Sequence, residues 1–151
     1  MIAFHAAQVS LLGAAVVLFV ARSRAIARMA SDAAGLALAA RADDLRADLA
    51  HAASSGAYVL RGIGRVAPPL ALVGAIVVMG QGFGAPTGLG ALKAGFAART
   101  AVAQAGVAFG IGIVTSVVCF TAAAGLVRRA RSARSDLERA VRALDRSGAD
   151  V

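Results

Sequence analysis

VAPPLALVGAIVVMGQGF (Val66–Phe83) and AVAQAGVAFGIGIVTSVVCFTAAAGLV (Ala101–Val127) are the stretches that decide the fold. The second holds 27 residues without a formal charge and is followed at once by Arg128, Arg129 and Arg131. As a helix it is about 40 Å long, against roughly 30 Å for the hydrocarbon core of a bilayer. A soluble domain of 151 residues has no use for an uncharged helix of that length. The two runs predict membrane-spanning helices joined by a short Gly-rich outer loop, residues 84–100.

Working outward, Ala3–Ala21 (AFHAAQVSLLGAAVVLFVA) is a third apolar run, about 28 Å long as a helix. No Lys or Arg precedes it, and Arg22 and Arg24 follow it. That order is the reverse of a cleaved signal peptide, so the run reads as a retained span with its N-terminus outside. His5 and Gln8 then fall near the outer surface, and His5 reads as an interfacial polar group. Residues 22–65 carry seven Arg against four Asp, and residues 128–151 carry seven Arg more, whereas 84–100 carries only Lys93 and Arg99. Basic residues gather on the cytoplasmic side of membrane proteins. The expected fold is an all-α integral membrane protein with three transmembrane helices (about 3–21, 66–83 and 101–127), N-out and C-in. It forms one membrane domain, with a helical cytoplasmic insertion (22–65) and a helical basic tail (128–151).

Composition agrees. Hydrophobic residues make up 59% and the mean hydropathy is +0.75, above an ordinary soluble domain. Ala and Gly are abundant, which suits close helix contact in lipid; a GC-rich gene gives the same excess. The net charge of +8 does not point to nucleic acid, because the basic residues flank apolar runs and no aromatics are interleaved for base stacking. The expected contact is membrane lipid. Cys119 is the only cysteine, so there is no disulfide framework, and mid-span it reads as a small buried hydrophobe.

The insertion is rich in Ala, Leu, Arg and Asp, which favours helix. Leu38, Ala42, Leu45, Leu49 and Ala52 form an apolar seam at spacings of four and three. A helix continuing the first span from Arg22 to Ala52 would descend about 45 Å, farther than residues 53–65 return except when fully extended. A break is therefore expected, with Ser31-Asp32 as a cap pair and Gly35 as a weak point. His51–Gly56 reads as a second turn. Pro68 and Pro69 are placed near the start of the second span, where a missing N–H costs least, or at a kink if the helix begins near Ala57. Gln81, Gly82, Gly84, Pro86, Gly88 and Gly90 mark the outer turn. Leu89, Leu92, Lys93 and Phe96 form either a short interfacial helix or the start of the third one. In the tail, Val127, Ala130, Leu137, Val141 and Leu144 make a seam with Arg134 in one slot, predicted to pack on the insertion. Ser147–Val151 is expected to fray.

The polar groups of the third span are the candidate site. At about 100° per residue, Thr100, Gln104, Thr115 and Cys119 fall within one arc of about 100°. They either face a lumen or partner helix, or bond back to their own helix carbonyls. Gly106 and Gly110 form a Gly-x-x-x-Gly pair on the adjoining face, and Gly74 adds a small residue on the second span; these three are the predicted helix-packing positions. No span contains Asp, Glu, Lys or Arg well inside it, where proton relays and pumps keep such groups. There is no zinc spacing, P-loop, nucleophile elbow or acid pair, and His5 and His51 fall on opposite sides in this topology. Neither an enzyme nor a cofactor or metal site is expected.

Two segments resemble the MotA/TolQ/ExbB proton-channel family of bacterial inner-membrane stator subunits. APPLALVGAIVVMGQGF (Ala67–Phe83) is similar to the family's Pro-x-x-Gly-x-x-Gly-Thr run with its trailing Met and Phe, and AQAGVAFGIGI (Ala103–Ile113) to its Ala-Thr-Ala-x-Gly run. The layout of a first span, a cytoplasmic insertion, two spans and a basic tail is also similar. The resemblance implies a homo-oligomer, a pentamer, around a single-span membrane partner that carries an intramembrane Asp, coupling ion flow to mechanical work. Three departures stand out: Ala75 where the family has Thr, Ala103 or Gln104 at the other Thr position, and Ala98–Arg99 where an acid is common. A non-conducting scaffold of the same architecture is the alternative. A holin-like pore former shares the topology, but the insertion argues against it.

Overall fold

The computed structural model of the protein describes residues 2–32, 38–83 and 91–148. They form three helices, α1 (Ile2–Asp32), α2 (Leu38–Phe83) and α3 (Ala91–Gly148). Each contains a segment long and apolar enough to cross a membrane: Ala6–Ser31, Asp43–Phe83 and Gly95–Ala143.

The helices are longer than the apolar runs alone suggest. α1 ends at Asp32, where the break is expected, but Ser31 does not cap a new helix. Its hydroxyl donates back to the Arg28 carbonyl at 2.8 Å, inside the last turn of α1. Gly35, Gly84, Pro86, Leu89, Gly88 and Gly90 lie outside the described residues, as do 149–151 of the fraying segment. The expected second turn at His51–Gly56 is absent, because α2 passes straight through it. The turn-forming residues are absorbed by the helix. The Ser54 and Ser55 hydroxyls donate to the His51 and Ala52 carbonyls, and Gly56 is buried against Arg22 and Leu126. Pro68 and Pro69 are interior to α2 rather than at its start. α3 begins at Ala91, so Phe96 belongs to the third helix itself, and the tail continues it without interruption.

Contacts divide the chain into two units to which all three helices contribute: Met1–Ala15 with Gly62–Phe120, and Val16–Arg61 with Thr121–Val151. In the first unit α3 buries Ala101, Ala105, Ala108, Thr115 and Cys119, and α2 buries Ala67, Ala71, Ala75 and Val78. The spacings of three and four are those of a packed helical seam. Its small side chains let backbones approach closely, which is how helices gain contact where lipid competes for apolar surface. α2 and α3 are antiparallel here, with Gly82 meeting Ala101, Gly112 meeting Ala71, and Gly64 meeting Cys119 and Phe120.

The second unit is built with larger residues. Ile26, Leu49, Leu60, Leu126 and Leu137 are buried, with Ala53, Ala57, Ala130 and Ala133 between them. Of the predicted insertion seam, Leu49 and Ala52 are buried and Leu45 is half-buried; the side chains of Leu38 and Ala42 lie outside the described residues, as does that of Leu144 in the tail. The tail seam runs through Ala133, not Arg134. Arg134 is exposed and pairs with Glu138 one turn on, at 3.0 Å, because a 3.6-residue turn carries position 134 off the stripe that Ala130, Ala133 and Leu137 share.

Candidate functional site: a polar centre among apolar helices

The polar centre of the first unit starts from Pro68. Proline has no N–H, so inside a helix it leaves the carbonyl four residues back without its usual partner. That carbonyl belongs to Gly64. Ser116 of α3 donates its hydroxyl to the Gly64 oxygen at 2.8 Å. The bond is possible because Gly64 has no side chain: a Cβ there would stand 3.2 Å from both Cys119 Cβ and the Phe120 ring. One serine thus repairs the gap one proline makes, a recurrent solution where no water can serve.

A second interhelical bond ties α1 to α3. Gln8 Nε2 donates to the Ala108 carbonyl at 3.1 Å. Gln8 is only 5% exposed, its side chain packed inside the chain. Its Oε1 is enclosed with no hydrogen-bond partner among the described residues. Beside it lies a cavity of about 10 Å³ lined by Gln8, Leu11, Ala67, Leu70, Gly112 and Thr115, the space of about one water molecule. The side chain of His5 lies outside the described residues.

The four residues predicted to share a polar face divide. Thr115 and Cys119 are 2% and 0% exposed, inside the seam of this chain. Thr100 is exposed and Gln104 half-buried. The seam is centred near the direction of Cys119, and Thr100 lies about 100° from it; an arc that wide runs from the middle of a buried stripe to outside it. Thr100 and Thr115 both donate back to their own helix, to the carbonyls of Phe96 and Ile111, which is the second of the two expected behaviours. Ser116 takes the interhelical role instead.

The packing glycines divide too. Gly74 is buried. Nothing among the described residues lies within 4 Å of a Cβ built on Gly106 or Gly110; Gly106 is exposed and Gly110 half-buried. Gly82, expected in the outer turn, and Gly112, which the sequence reading passed over with Gly64, make the closest approaches: a Cβ on either would overlap a methyl, of Ala101 or of Ala71. The signal for Gly64 was present, four residues before Pro68. Nothing local marked Ser116 as its partner. Among the described residues no three of His, Cys, Asp and Glu come together as a metal site would need.

Comparison with known proteins returns no match: no family model fits this chain, and no curated protein or solved structure is similar to it.

Proposed function

We propose that this protein is a three-span subunit of the bacterial inner membrane, N-out and C-in, that assembles with copies of itself as a stator-like scaffold around single-span partner helices. The observation that carries the reading is the Gly106–Gly110 face of α3. A Cβ built on either glycine meets nothing within 4 Å among the described residues, and Val102, Val107, Phe109, Ile113, Val114 and Val117 of the same helix are exposed. A smooth small-residue face amid exposed apolar side chains suits another helix in lipid. The scaffold form is favoured over an ion-conducting one because Ser116 and Gln8 are committed to bonds between helices and Thr115 and Cys119 are buried in the seam. No titratable carboxylate stands among them.

A second reading, in which the assembly couples ion flow to mechanical work, rests on Thr100 and Gln104, which stay outside the buried seam. The partner would then supply the acid. Native mass spectrometry of the detergent-purified protein tests both. A pentamer, with substoichiometric single-span protein attached, is the expected result; a monomer or a very large ring overturns the assignment. Proton flux in vesicles holding that assembly, lost in Gln104→Leu, would favour the conducting reading over the scaffold.

A further inference from the structure

The second unit contains a cleft of about 310 Å³ between α1 and α3, lined by Ser23, Ile26, Ala27, Arg129, Ser132 and Asp136 among others. Its size is within the usual range of small-ligand sites. The guanidinium of Arg129 stands 5.3 Å from the centroid of the Phe19 ring. No carboxylate pairs with it among the described residues, whereas Arg46, Arg134, Arg139 and Arg142 all have acidic partners. The Ser23 hydroxyl is enclosed in the wall of the cleft without a hydrogen-bond partner among the described residues. Asp136, the carboxylate of the lining, pairs through one oxygen with Arg139 at 2.8 Å in an exposed contact. The cleft therefore offers the Arg129 guanidinium and the Ser132 hydroxyl to an anion.

Its upper end is apolar. Val16 and Val20 are exposed and lie seven residues before Ser23 and Ala27, on the same helical face. We propose that the cleft binds the phosphate of an anionic glycerophospholipid, held by Arg129 and Ser132, with an acyl chain running along Val20 and Val16. A guanidinium fixed over an aromatic ring is well placed to give a phosphate two parallel N–H bonds. Basic pockets between membrane helices take lipid headgroups for the same reason. The proposal rests on the membrane reading above.

The test is a lipid titration of the full-length protein in mild detergent by native mass spectrometry. Phosphatidylglycerol and phosphatidylcholine of identical acyl chains are compared, with inorganic phosphate as a third arm. Wild type is expected to prefer phosphatidylglycerol. Arg129→Gln should lower that affinity about tenfold, whereas Arg128→Gln, an exposed neighbour of the same charge outside the cleft lining, should lower it by less than about threefold. Arg129→Lys, which keeps the charge and loses the fork, should fall between, and it also reads out the site if the Gln variant folds poorly. Equal losses at Arg128 and Arg129, or no loss at either, overturn the proposal in favour of a diffuse basic surface. Binding of inorganic phosphate alone with the same Arg129 dependence overturns it in favour of a free-anion site. Release of the wild-type protein from membranes by alkaline carbonate would instead overturn the membrane reading itself.

Discussion

Ser116 shows how much one hydroxyl decides in an apolar seam. It is needed because Pro68 removes a donor, and it reaches Gly64 because Gly64 carries no side chain. Ser116→Ala is expected to lower stability by about 1–2 kcal/mol, the range for an unsatisfied carbonyl or a lost interhelical bond, measured by reversible unfolding in mixed detergent. In a Pro68→Ala background the helix recovers its own N–H donor, so the same serine change should cost clearly less; strict additivity of the two would mean that the bond does not serve the proline gap. The glycines give a second contrast. Gly112→Val forces a side chain into Ala71 and the Ala67 carbonyl and should destabilise the monomer by about 1–3 kcal/mol. Gly106→Val meets open space within the chain, so it should leave monomer unfolding unchanged and, on the proposed function, lower the subunit count in native mass spectra.

At the scale of the elements, the three helices and the end of α1 at Asp32 were legible, and the continuity of α2 was not. Uncharged length marked α1, the upper half of α2 and the middle of α3, because a long uncharged run needs no partner to be recognised. His51–Gly56 looked like a turn because the Ser-Ser-Gly run within it is turn-forming in isolation. In the folded chain the serines bond back within α2 and Gly56 meets Arg22 and Leu126, so packing overrides local preference. The tail makes the same point one residue at a time. Leu137, at 3% exposed, lies in the seam, and Leu137→Ala should cost about 2–4 kcal/mol. Arg134, with its side chain 62% exposed, should cost under about 1 kcal/mol when replaced by Ala. Thermal unfolding of the two variants checks the order, and a larger effect at Arg134 would return the seam to that slot.

At the scale of the whole molecule, charge and packing divide the chain alike. Arg65, Lys93 and Arg99 are the only Lys or Arg residues of the first unit, and every Asp and Glu belongs to the second. On the proposed membrane reading such a partition follows from solvent: charged side chains are costly in hydrocarbon, so a unit facing lipid would satisfy itself with backbone bonds and a few hydroxyls and amides. The proposed orientation makes a direct prediction. In a Cys119→Ala background, a cysteine replacing Arg142 should react with an impermeant thiol reagent only in inverted vesicles; labelling in right-side-out vesicles would reverse the topology. The same background leaves no other thiol to confuse the readout.

The sequence alone determined that this chain is helical, that three of its stretches are long and apolar enough to cross a membrane, and that its charges gather between and after them. Those properties are local, carried by run length, spacing and composition. Which small and polar residues meet was decided only by the tertiary structure. Ser116 and Gly64 are 52 residues apart and Gln8 and Ala108 are 100 apart, and a helix face acquires its role from the register of its neighbours. For that reason Thr115 and Cys119 went inside, while Gly106 and Gly110, about 140–180° round the same helix from them at 100° per residue, were left outside.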